Sequence, residues 1–64
     1  MKFNRREREI LLEIAAGLTN KEIAGRLGLR ETTVKWYIAR MLRSSGATNR
    51  AALVEMLHHE INGD

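Results

Sequence analysis

Four glycines, Gly17, Gly28, Gly46 and Gly63, each stand just after a run whose apolar residues recur at helical spacing. Glycine takes the left-handed conformation that closes a helix without steric cost, so these positions read as stops. Proline is absent, and the residues between the stops are largely Leu, Ala, Glu, Arg and Ile, which favour helix. The chain is expected to be all-α, a single domain over 1–64 with helices near 5–16, 20–27, 31–44 and 49–60.

A chain of 64 residues buries only about 60% of the surface it exposes when unfolded. It has no cysteine, so neither a disulfide framework nor a zinc finger can add stability, and a partner subunit would help. No apolar run reaches the ~18 residues of a membrane span, and charges from Arg5 to Glu9 interrupt the N-terminal stretch where a signal peptide would need apolar residues. A cytoplasmic protein without membrane contact is expected.

The first helix has Asn4 as its cap, with Glu7 placed to answer it, and Ile10, Leu11, Ile14 and Ala15 as its apolar stripe. Phe3, just before the cap, is expected to fold onto the core. The second helix opens with Thr19 and Glu22 in capping-box register, flanked by Leu18 and Ile23 at the two positions of a hydrophobic staple. Ile23, Ala24 and Leu27 face inward. Lys21 and the exposed amides at this end are suited to a phosphate.

Between Thr19 and Arg43 two helical patterns are joined by Gly28, Leu29 and Arg30. Val34, Ile38 and Met41 lie at i, i+4 and i+7, a stripe that one helix can bury. At about 100° per residue the opposite side collects Thr32, Trp36, Ala39, Arg40 and Arg43, with Lys35 at its edge. An apolar seam inward with Thr, Trp, Ala and Arg outward suits the DNA major groove, which reads as a helix-turn-helix. Arg30 stands at the cap of this helix with no acceptor to offer its amides, which leaves them for Thr32 or Thr33 nearby or for a DNA phosphate.

Charge follows the same division. Residues 1–29 hold six basic and four acidic side chains, 30–50 five and one, and 51–64 none and three, giving +2, +4 and −3. Positive charge therefore peaks where the groove-facing helix lies.

After Gly46, Thr48 or Asn49 can cap a last helix whose apolar residues wrap wider than docking on three helices requires. Ala52, Leu53, Met56 and Leu57 are expected to form a subunit interface. Asn62, Gly63 and Asp64 are expected to fray. Neighbours on a helix diverge by about 100°, so His58 and His59 cannot chelate one metal together. No nucleophile stands beside a base and no glycine loop can cradle phosphate, so no catalytic residue, metal site or cofactor is assigned and an enzyme is not expected.

The residues Arg6-Glu7-Arg8-Glu9-Ile10-Leu11, Gly17-Leu18-Thr19-Asn20-Lys21-Glu22-Ile23-Ala24, Leu27, Thr33-Val34-Lys35, and Gly46 with Arg50 four on resemble the DNA-binding domain of LuxR/FixJ/NarL-type bacterial transcription regulators. The resemblance covers about 3–57. It implies a four-helix domain whose third helix enters the major groove and whose fourth pairs two subunits on an inverted repeat. It also implies base contacts at Lys35, Trp36 and Ala39, with Arg40 and Arg43 nearby, and backbone contacts at Asn20, Lys21, Thr32, Thr33 and Lys35. With the uncapped Arg30 added, Asn20, Lys21, Arg30, Thr32 and Thr33 form the expected phosphate set.

The chain departs from the family pattern in four positions: Tyr37 stands for a frequent histidine, Arg30 for a frequent Ser or Thr cap, and Ser44-Ser45 for a frequent Lys-Leu pair. Ser45 puts a hydroxyl on the seam, where it can bond back to a carbonyl one turn earlier unless Leu42 turns in instead.

Two functions follow from these readings. The first is a sequence-specific, homodimeric transcription regulator. The second is an interaction module that pairs with a larger regulator of the same type and silences it. Double-stranded DNA, a second copy, a larger LuxR-type regulator and RNA polymerase are the expected partners.

Overall fold

Asn4 Oδ1 accepts from the Glu7 amide at 2.8 Å, and Glu7 Oε1 accepts from the Asn4 amide at 2.9 Å. This closed capping box starts helix α1, Arg5–Ala15, in the computed structural model, which describes residues 3–62. A second box, between Thr19 and Glu22, starts α2, Asn20–Leu27. Helix α3 spans Glu31–Ser45 and α4 spans Arg50–Asn62, so the described residues form four helices.

The bounds differ slightly from expectation at three ends. Ala16 caps α1 rather than belonging to it, Ser45 is the last residue of α3, and α4 runs two residues past Glu60. Of the two candidate caps for α4, Asn49 takes the role: its Oδ1 accepts from the Ala52 amide at 2.9 Å. Gly28 and Gly46 close α2 and α3 at φ of +69° and +80°, the left-handed region that favours glycine. The expected stop at Gly63 and the fraying of Gly63 and Asp64 concern positions outside the described residues.

Helix α2 packs chiefly on α3, α4 lies along α1 and touches α3, and α1 also meets α2 and α3. Among the described residues α2 and α4 do not touch. One core joins all four helices. It contains Phe3, Ile10, Leu11, Ile23, Ala24, Val34, Ile38, Met41, Leu53 and Leu57. Phe3 is 3% exposed, as its place beside the cap suggests, and Arg8 Nη1 donates to the Phe3 carbonyl at 2.7 Å, fastening the segment before α1 to its second turn. Ala15 departs from its expected place on the α1 stripe and is exposed.

The structure corrects the expected subunit interface. Leu53 and Leu57 are fully buried within this one chain, so they belong to its own core and present no surface to a partner. Ala52 and Met56 are half-buried. A helix apolar on most sides gives no preferred face by periodicity, and packing against α1 and α3 makes the choice.

Ser45 resolves differently from the expected back-bond. Its Oγ accepts from the Ala47 amide at 3.1 Å, turning the seam hydroxyl into part of the α3 exit, while Leu42 packs half-buried against the core. Among the described residues, no helix is long and apolar enough to cross a membrane.

Candidate nucleic-acid interface

Helix α3 carries the candidate site because its seam is used up inside. Val34 and Met41 are fully buried and Ile38 nearly so, which turns the opposite strip outward. Lys35, Trp36, Ala39, Arg40 and Arg43 are all exposed, Trp36 at 51%. Arg30, Thr32 and Lys21 are exposed as well, and Asn20 and Thr33 are half-buried. The Asn20 Oδ1 is buried without a hydrogen-bond partner.

The start of α3 is uncapped by any side chain. The Arg30 carbonyl takes the amides of Thr33 and Val34 at 3.0 and 3.1 Å, which leaves those of Glu31 and Thr32 open. Helix α2, by contrast, has a side-chain cap on its Glu22 amide, and its box has an electrostatic signature. The Glu22 carboxyl is held below its ordinary value, first by the Thr19 amide and then by the Thr19 hydroxyl, both of which favour the charged form.

The distribution of ion pairs divides the cations into two groups. Arg5 and Arg6 face Glu9, Arg8 faces Glu60, Arg26 faces Glu13, and Lys35 faces Glu31. Arg26 is bonded to Glu13 across the α1–α2 contact, which raises its pKa further and ties the two helices. Lys21, Arg30, Arg40, Arg43 and Arg50 have no carboxylate within ion-pair distance among the described residues. These five stand at the start of α2, before α3, on the outer strip of α3 and at the start of α4.

Local order extends along the strip. Arg40 Cζ lies 5.3 Å from the centroid of the Trp36 ring, and Trp36 meets Tyr37 edge-on at 5.1 Å. Tyr37 is half-buried. Arg50 was not assigned a contact role from the sequence. The signal was present, since it is the last cation of the segment whose charge sums to +4. On α4, Val54 is half-buried and Ala51, His58 and Ile61 are exposed, Ile61 at 59%. Among the described residues no group of three or more His, Cys, Asp or Glu is placed to hold a metal ion.

Comparison with known proteins places this arrangement in a wider group. The family model for bacterial regulatory proteins of the luxR family (GerE) matches residues 1–57. The probable transcriptional regulatory protein SgaR of Hyphomicrobium methylovorum is 44% identical over 57 residues, which is 89% of this chain and 26% of that protein. The nitrate/nitrite response regulator protein NarL of Escherichia coli (strain K12) is 44% identical over 55 residues, 86% of this chain and 26% of NarL. The uncharacterized transcriptional regulatory protein YhcZ of Bacillus subtilis (strain 168) is 36% identical over 63 residues, covering 97% and 29%. The chain thus spans about a quarter of the length of the curated relatives it matches. No solved structure matches it significantly. With four helices in the expected order and a family match over nearly its whole length, the chain belongs to the luxR family of bacterial regulatory proteins.

Proposed function

We propose that this chain binds double-stranded DNA sequence-specifically as a cytoplasmic transcription regulator. In this reading the outer strip of α3 enters the major groove, with Lys35, Trp36, Ala39, Arg40 and Arg43 toward the bases and Asn20, Lys21, Arg30, Thr32 and Thr33 toward phosphates. The observation that carries it is the set of five cations without carboxylate partners among the described residues, two on the exposed strip of α3 and the others before α3 and at the starts of α2 and α4, together with the open first amides of α3. Phosphates supply the missing anions, and an open helix start is a ready place for one. Arg50 joins the phosphate set on the same ground.

Pairing of two copies on an inverted repeat follows from the same reading, but through a different side of α4. Ala51, Val54, His58 and Ile61 line the side left outside the core, and an Ile 59% exposed at the end of a helix is apolar surface available to a second copy. The same side favours a second reading, in which the chain pairs with a larger regulator of its own type and silences it. Sedimentation of the isolated chain with and without DNA separates the two. A chain that stays monomeric, ignores DNA and captures a full-length regulator supports the second.

The test of the first reading is the affinity for duplex DNA at several ionic strengths. Each phosphate neutralised contributes about −0.9 to the slope of log K against log salt, so Lys21, Arg30 and Arg50 give a slope of roughly −3 per subunit. A flat salt response, or an affinity equal for all sequences, would overturn it. Lys35→Ala should weaken binding to a selected duplex while leaving helix content unchanged.

A further inference from the structure

Tyr37, Trp36 and Arg40 form a line of contacts from the core to solvent. Tyr37 is half-buried and packs against the core. Its ring meets Trp36 in an edge-on arrangement, the planes at 76°, and the Arg40 guanidinium lies over the Trp36 ring one turn further along α3. A cation over an indole is attracted by the negative face of the ring. No carboxylate among the described residues takes any of the five N–H donors of Arg40, whereas Lys35, one residue before Trp36, is already paired with Glu31.

We infer that Trp36 positions Arg40 as the guanine-reading side chain of the α3 strip, so that Trp36 acts on specificity through Arg40. The inference rests on the DNA-binding reading above and names how that surface selects a base. A free arginine loses much of its rotamer freedom on docking. One already held against an indole that is itself held by Tyr37 loses less, and this lowers the cost of binding. The planar fork matches O6 and N7 of guanine with two parallel hydrogen bonds, a geometry that demands orientation in a way that a phosphate oxygen does not. A platform that fixes direction while leaving the donors unoccupied is therefore suited to a base edge.

The test combines two measurements. Trp36 is the sole tryptophan, so its emission reports the contact in the free protein. Arg40→Ala should shift that emission with helix content unchanged, and an unshifted emission overturns the contact. Next, a duplex selected from a random pool, and versions with each guanine replaced by 7-deazaguanine, which lacks the N7 acceptor, are titrated with the variants. Arg40→Ala should lose about 5- to 150-fold, the range of a good bidentate contact, and lose discrimination at one G·C pair.

Trp36→Ala should relax discrimination at that same pair and add nothing in the Arg40→Ala background. Trp36→Phe should restore most of it. Losses that add, or a Trp36→Ala effect at a different base pair, show that Trp36 reads bases by itself and overturn the inference. Steeply salt-dependent binding with guanine discrimination intact in Arg40→Ala overturns the inference and leaves DNA binding standing. No binding to any duplex by the unaltered protein overturns both.

Discussion

Lys35 Nζ stands 3.7 Å from Glu31 Oε2, one turn back along α3, with both side chains largely in solvent. An exposed pair of this kind is worth about 0.2–1 kcal/mol, so the carboxylate competes weakly but measurably with any anion that approaches Lys35. Glu31→Gln frees the ammonium and removes a negative charge beside the open end of the helix. Binding to duplex DNA should tighten about 2- to 5-fold with a steeper salt slope, read by fluorescence anisotropy at several salt concentrations. Weaker binding would show that Glu31 itself meets the DNA.

The cap of α3 predicts an opposition between stability and affinity. Arg30→Ser supplies the missing acceptor and should raise unfolding stability by about 1 kcal/mol, read from urea midpoints. The same substitution removes one of the five unpartnered cations. The salt slope should become shallower by about 0.9 and affinity should fall on every sequence alike. A variant that is more stable and binds as before would remove Arg30 from the phosphate set.

Gly25 lies inside α2, and a Cβ built there meets nothing within 4 Å. No positive φ requires glycine at this position. Gly25→Ala should therefore stabilise by about 0.5–1 kcal/mol through the lower entropy of its unfolded chain, read as a rise in thermal midpoint.

The two sides of α4 should respond differently to substitution. Leu53→Ala opens a cavity in the shared core and should cost about 2–5 kcal/mol, most of the stability a chain this size is expected to have. Ile61→Asp leaves the core untouched and should retain helix content while reducing self-association in sedimentation experiments. Unchanged association in Ile61→Asp would place the subunit contact elsewhere.

The Thr19–Glu22 box carries a pH dependence of defined sign. The Glu22 carboxyl titrates below its ordinary value of 4.5 in the folded chain, so the unfolded chain binds the proton first as acid is added. Its contribution is complete above the unfolded value and is lost as pH falls through the lower folded value. Glu22→Gln keeps an acceptor for the Thr19 amide but cannot titrate. As the pH falls from neutral through 4.5 and below, the unaltered protein should lose more stability than Glu22→Gln, and parallel urea midpoints would sink the assignment.

The helix starts were legible because capping is local. Asn4 with Glu7, and Thr19 with Glu22, are three residues apart and need no knowledge of the fold. The inward and outward sides of α3 were equally readable, since Val34, Ile38 and Met41 follow one helical period and all three are buried. Helix α4 was not, because Leu53 and Leu57 differ from Val54 and Ile61 only in which neighbours they meet. The Glu13–Arg26 bond spans 13 residues and depends on how α1 crosses α2, so no local spacing announces it. Lys35 with Glu31, and Arg40 with Trp36, sit four apart and carried a readable signal.

That α2 and α4 do not touch has a consequence for how such a chain can diverge. A change at the start of α2 reaches the outer side of α4 only through α1 and α3, so the effects of two such substitutions on free energy should nearly sum. Under the proposed function, a lineage can change its mate through the outer side of α4 and its phosphate contacts at the start of α2 by nearly independent steps, and neither change has to wait for a compensating one.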